Sequence, residues 1–244
     1  MNPHYTYLLV NLGSVAVPLL LSFDKKVAFY KKWKAFWPAN LITLAFFVVW
    51  DVTFTKAGVW GFNPEYLTGI YLINLPIEEW LFFICVPYSC IFLYETFRAY
   101  LPRDPFAKLH TFAIYKISAA SVLLLILFYD RLYTAFTAAF LLIGTLIVYR
   151  LKVKWVGWLS FAYLIIIIPF LIANGILTGL AFWEYPVINF VPEGIEDMIV
   201  WYNNDHNMGI RVFSVPLDDF FYGLLLIAMN VSIYEWLLKR YQLR

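Results

Sequence analysis

Charge is scarce in this chain. Only 14% of its 244 residues are Asp, Glu, Lys or Arg, against about 25% in an ordinary soluble domain. With 63% hydrophobic residues, too little polar side chain remains to cover a water-soluble globule. The net charge of +2 leaves no basic surface for nucleic acid. Cysteine is nearly absent: Cys85 and Cys90 sit in one apolar run. Five apart on a helix, they face different ways and cannot bridge each other, so they read as small buried hydrophobes. No GxGxxG after a strand and no P-loop occurs, so no nucleotide or flavin fold is visible. Histidine occurs only at 4, 110 and 206. His206 lies beside Asp205 in a segment with Glu193, Glu196 and Asp197, but the spacing is not that of a metal site. Neither metal nor cofactor is expected.

What the chain has instead is long apolar runs. A membrane-spanning helix needs about 20 mostly apolar residues, and seven segments qualify: approximately 5–23, 36–54, 77–97, 112–129, 131–149, 155–182 and 217–238. The first lacks a basic leader and a small-residue cleavage signal, so it reads as a membrane helix rather than a removable signal. The sixth contains Pro169, which predicts a kink or tilt. No segment reads as a strand and no linker marks a second domain. The expected fold is an all-α integral membrane protein, one transmembrane domain over 1–244.

Basic residues set its expected orientation. Lys25, Lys26, Lys31, Lys32, Lys34, Arg98, Arg103, Lys108, Arg150, Lys152, Lys154, Lys239, Arg240 and Arg244 fall on one side. Lys56, Arg131 and Arg211 fall on the other, with Lys116 near the start of the fourth helix. Fourteen against three places the N-terminus outside and the C-terminus in the cytoplasm of a cell membrane.

Self-comparison yields a repeat. Asn63, Gly69, Ile70 and Pro76 recur 140 positions later as Asn203, Gly209, Ile210 and Pro216. Each proline precedes one aliphatic residue, two acids and three bulky residues: Pro76-Ile-Glu78-Glu79-Trp80-Leu81-Phe82 and Pro216-Leu-Asp218-Asp219-Phe220-Phe221-Tyr222. At an offset of 123, Asp51, Thr55, Trp60 and Phe62 match Asn174, Thr178, Trp183 and Tyr185. The change of offset assigns 17 extra residues to the second outer loop. Helices 2–3 and 6–7 are therefore copies in parallel orientation. Half one covers about 1–110, a connecting helix about 112–129, and half two about 131–244. Both acidic pairs begin their helices at one outer depth, where four carboxyl groups can converge.

Acids in a first helical turn behind a proline are ordinary capping chemistry. Capping alone, however, does not require the upstream Asn and Gly at fixed distances, twice. Paired carboxyls in a poorly hydrated site do not both ionise easily, so one can keep a proton and donate it. Glu78, Glu79, Asp218 and Asp219 are thus the candidate catalytic residues. Asp51 and its neutral counterpart Asn174 sit at the same level, hinting that the two halves differ in their roles. Trp60, Trp80, Phe82, Trp183, Phe220 and Tyr222, with Asn63 and Asn203, are candidate supporting or substrate-binding residues, the rings because their faces stabilise cations.

With its twofold Pro-x-acid-acid, the chain resembles the membrane-integral lycopene cyclases in the form where two halves are fused. Pro76-Ile-Glu78-Glu79 fits the family's Pro-x-Glu-(Glu/Asp) pattern; Pro216-Leu-Asp218-Asp219 departs from it at the first acid. The resemblance implies acid-catalysed, redox-neutral cyclisation of the ends of lycopene to β-ionone rings, giving β-carotene directly or by way of γ-carotene. The partners it implies are a lipid-soluble carotenoid and membrane lipid. A hydratase on the same scaffold would trap the same cation with water, and a transporter would also use intramembrane carboxylates. A retinal protein is excluded, since 217–238 holds no lysine for a Schiff base. The orientation is checked with a membrane-impermeant thiol reagent. Asp130→Cys should label on intact cells, and Lys152→Cys only after the membrane is opened; the opposite pattern inverts the topology.

Overall fold

A computed structural model describes residues 3–190 and 194–243; Glu193 and Arg244 lie outside them. Among the described residues, seven helices are long and apolar enough to cross a membrane: α1 (Thr6–Leu21), α2 (Trp33–Lys56), α3 (Ile77–Tyr100), α4 (His110–Leu127), α5 (Leu132–Leu151), α6 (Val156–Thr178) and α7 (Leu217–Arg240). The chain is a seven-helix integral membrane protein. α6 stays helical through Pro169 and ends at Thr178, short of the expected 182. α4 and α5 are joined by residues 128–131.

Lipid gives helices no hydrophobic reason to associate, so packing and buried polar contacts hold them. α1 clips onto α3 in this way. Asn11 donates to the Glu78 carbonyl at 2.8 Å, Ser89 to the Ser14 carbonyl at 2.9 Å, and the Ser22 and Tyr88 hydroxyls are 2.6 Å apart. The two cysteines are buried and unpaired.

The repeat proves larger than helix, loop, helix. Short strands β1 (Trp60–Phe62) and β4 (Val200–Tyr202) pair antiparallel, Trp60 with Tyr202, Gly61 with Trp201 and Phe62 with Val200. The pairing continues in mirrored fashion: Asn63 N–H donates to Ile199 O at 2.8 Å and Asn203 N–H to Val59 O at 2.9 Å. Every partner pair sums to one pseudo-two-fold centre at Gly61 and Trp201, so the offset of 140 already holds at the strands. This corrects one match. The counterpart of Trp60 is Val200, not Trp183, which lies in the inserted segment and is 64% exposed. The Asp51–Asn174 match at the ends of α2 and α6 stands.

At the opposite ends of α3 and α7 the same offset repeats a Tyr-Glu pair, used reciprocally. Tyr94 donates to Glu235 at 2.6 Å and Tyr234 to Glu95 at 3.1 Å. Arg98 pairs with Glu235 at 2.6 Å, and Lys32 with Glu95. Both carboxylates are buried, so stripping one of its cation leaves an uncompensated charge. Arg98→Ala should therefore cost about 2–4 kcal/mol, seen as a lower unfolding temperature in detergent. Asp205→Asn, at a pair 3.9 Å apart whose Asp is 91% exposed, should cost no more than about 0.5 kcal/mol.

Candidate active site

The repeated residues build one loop twice. Asn63 accepts the Glu65 N–H at 3.1 Å and Asn203 the Asp205 N–H at 3.0 Å, each capping a single helical turn. Gly69 and Gly209 follow at φ +83° and +70°, a left-handed geometry that glycine adopts without strain. Hairpins β2–β3 (Tyr71–Leu72, Leu75–Pro76) and β5–β6 (Arg211–Val212, Val215–Pro216) then reverse the chain. Ile77 N–H closes on Ile70 O and Leu217 N–H on Ile210 O, both at 2.9 Å. Asn63 and Asn203 thus shape loops and do not touch the cavity below.

The two acids of each pair part company. Glu78 accepts the Thr68 N–H at 2.8 Å; Asp218 accepts the Met208 N–H at 3.1 Å and the Thr134 hydroxyl. Both tie their own loops to the helix start and line no part of the cavity. One residue further is about 100° further round the helix, which turns Glu79 and Asp219 inward. Three carboxyls therefore share the cavity, not four: Glu79, Asp219 and Asp51.

That cavity encloses about 770 Å³. Glu79 accepts the Tyr7 hydroxyl at 2.5 Å and abuts the carboxyl of Asp51, which also accepts the Trp60 indole N–H. Asp219 accepts three donors: Tyr133 O–H at 2.6 Å, Asn174 N–H at 2.6 Å and Tyr202 O–H at 3.0 Å. Burial, with the Asp219 charge next, pushes the Tyr202 phenol well above its ordinary range, so it serves as a donor. Trp60, Phe82 and Tyr222 line the walls with Phe62. Trp80 packs behind them, Phe220 meets Phe170 edge-to-face at 5.1 Å between centroids, and the exposed Trp183 takes no part.

Sequence reasoning missed Tyr7, Tyr133 and Tyr202. Tyr7 and Tyr133 are equivalents, each one helix away from its acid, at an offset of 126 that no neighbouring identity reinforces. They show that α1 and α5 also belong to the repeated unit, with α4 as the connector.

No curated protein and no solved structure matches the chain. The family model described as lycopene cyclase matches residues 4–97 and 130–237, which takes in α1–α3 and α5–α7 with all three cavity carboxyls. On that match over most of its length, the chain belongs to the lycopene cyclase family.

Proposed function

We propose that the protein is a lycopene β-cyclase, in which Glu79 delivers the initiating proton and Asp219 removes the final one. The observation that carries this reading is a buried carboxyl from each half closing one aromatic-lined apolar cavity. Two carboxyls in contact, as Glu79 and Asp51 are, share a hydrogen bond only when one is protonated. Asp219, across the cavity, accepts three hydrogen bonds, which orient its oxygens and suit it to the part of the base. The protonated Glu79 adds its proton to the terminal double bond of the linear polyene, forming a C–H bond and a tertiary cation. The neighbouring double bond attacks that cation and closes a six-membered ring, moving the charge into the ring. Asp219 takes a ring proton and the new double bond forms from the C–H pair.

No atom is gained or lost, and no electron leaves the substrate. The ring faces of Trp60, Phe82 and Tyr222 offset the charge in transit, and a dry wall denies it water. The proton on Asp219 must return to Glu79 before the next cycle. Tyr202 on Asp219 and Tyr7 on Glu79 provide hydroxyls for that return. In this reading Glu78 and Asp218 are loop anchors, and the acids lie near the outer face of a cell membrane, with the N-terminus outside.

The experiment is expression in a bacterium that accumulates lycopene, with pigments separated and weighed by mass spectrometry. A product of unchanged mass and shorter-wavelength absorption, β- or γ-carotene, is expected. A product heavier by one water would reassign the chain to hydration, and unchanged lycopene with protein present would overturn the proposal. Glu79→Gln and Asp219→Asn should each cut the yield by about 10²-fold or more. Glu78→Gln, which can still accept the Thr68 N–H, should stay within about tenfold of wild type.

A further inference from the structure

The cavity is not confined to the acids. It continues as a groove along α1 from Thr6 to Leu21 and is flanked by α6 residues from Tyr163 to Leu177. Fifteen residues of helix correspond to about 22 Å, most of the roughly 30 Å of bilayer hydrocarbon. Its walls are almost wholly apolar, and a Cβ placed on Gly13 meets nothing within 4 Å.

The pseudo-symmetric seam, between α5 and α2, is shut. Phe46 and Trp50 pack on Phe140 at 5.2 and 5.4 Å, and Phe54 on Phe136 at 5.4 Å between ring centroids. Carrying each ring across by its repeat offset gives Pro169 for Phe46, Ala173 for Trp50 and Leu177 for Phe54. Val10 stands for Phe136 and Ser14 for Phe140. All five replacements line the groove. One seam of a duplicated scaffold is zipped by large rings; in the other, smaller residues at the same positions leave a slot that ends at Glu79 and Asp219.

We propose that the α1–α6 slot is the lateral portal and tail site of the substrate, an extended apolar polyene that enters from the lipid with its reacting end toward the carboxyls. The slot runs along the bilayer normal, as lipid chains do, so a rigid polyene enters without leaving an apolar medium. Its continuity with the acid site identifies the occupant, and the proposal rests on the cyclase reading for that reason.

The test transplants the closed seam into the open one. Ser14→Phe/Ala173→Trp recreates the Phe140 and Trp50 positions, and Val17→Trp narrows the slot away from the acids. Ile143→Trp, the counterpart of Val17 on α5, is the control. Each is expressed with lycopene; pigment retained by the protein purified into nanodiscs and cyclised product are both measured. Both groove variants should lose retained pigment and product by about tenfold or more, while Ile143→Trp stays within about twofold. Val17→Trp decides the matter if the double variant fails to accumulate. Groove variants that retain and cyclise lycopene like wild type, or an Ile143→Trp that fails equally, would overturn the portal. Wild type that retains pigment without cyclising it, where the groove variants retain none, would leave the portal standing and remove the cyclase reading.

Discussion

The antiparallel crossing of residues 59–63 with 199–203 is the constraint on which the site depends. Two helical halves in lipid have little to fix their mutual depth, because apolar side chains are as well solvated by lipid tails as by each other. Backbone hydrogen bonds do fix it, since leaving a buried peptide group unpaired costs about 1–3 kcal/mol. The crossing has a register, and a slip by one residue would turn every side chain over. It sets Trp60 of one half against Tyr202 of the other, and those two residues donate to Asp51 and Asp219 respectively. At its centre a side chain on Gly61 would run into the Trp201 indole, so the two strands meet at a glycine. The carboxyls of both halves are thereby held at one level without being adjacent in sequence or sharing a helix.

Seven spans, the parallel repeat and the level of the acids were all legible, because each is written in hydropathy, identity and spacing. The loops were legible only as letters. Asn63, Gly69 and Pro76 marked a constant geometry, but what that geometry did, turning the first acid back onto Thr68 and leaving the second free, depends on helical phase. The phenols were not legible. Tyr7 and Tyr133 reach their acids from other helices, across 72 and 86 residues of chain, and nothing local marks them. The Tyr94-Glu95 and Tyr234-Glu235 pair stood in the sequence at the same offset of 140. It lies at the ends of α3 and α7 away from the acidic motifs, and only the fold sets each tyrosine on the other half's glutamate.

Duplication gives a symmetric frame, and function has used its departures from symmetry. Asp51 is the repeat counterpart of Asn174, so Glu79 abuts a second carboxyl while Asp219 receives an amide. A carboxyl pair on one side and a carboxyl with three donors on the other are different environments made from the same position. The seams diverge in the same way, rings on one side and Ser14, Ala173 and Pro169 on the other. A frame with two equivalent sites would give both carboxyls one environment; in the proposed reaction the difference lets one half supply the donor and the other the base.

The vertical spacing of the polar layers separates this arrangement from a proton pathway. Glu79 and Glu95 are sixteen residues apart on α3, about 24 Å, and Asp219 and Glu235 are the same distance apart on α7. A relay through that span would need titratable groups or water-binding polar groups at intervals of one hydrogen bond. The groove wall over that depth carries mainly Val86, Leu93, Leu226 and Ile227, and its few polar atoms there, on Ser14, Ser89 and Tyr163, are each engaged in hydrogen bonds to backbone carbonyls. The inner carboxylates are each matched by a cation and a phenol, which spends their hydrogen-bonding capacity on holding α3 to α7. The acids and their donors thus lie at one end of the groove, while its remaining depth is mostly apolar. That division suits a long apolar substrate that presents one end at a time to the acids.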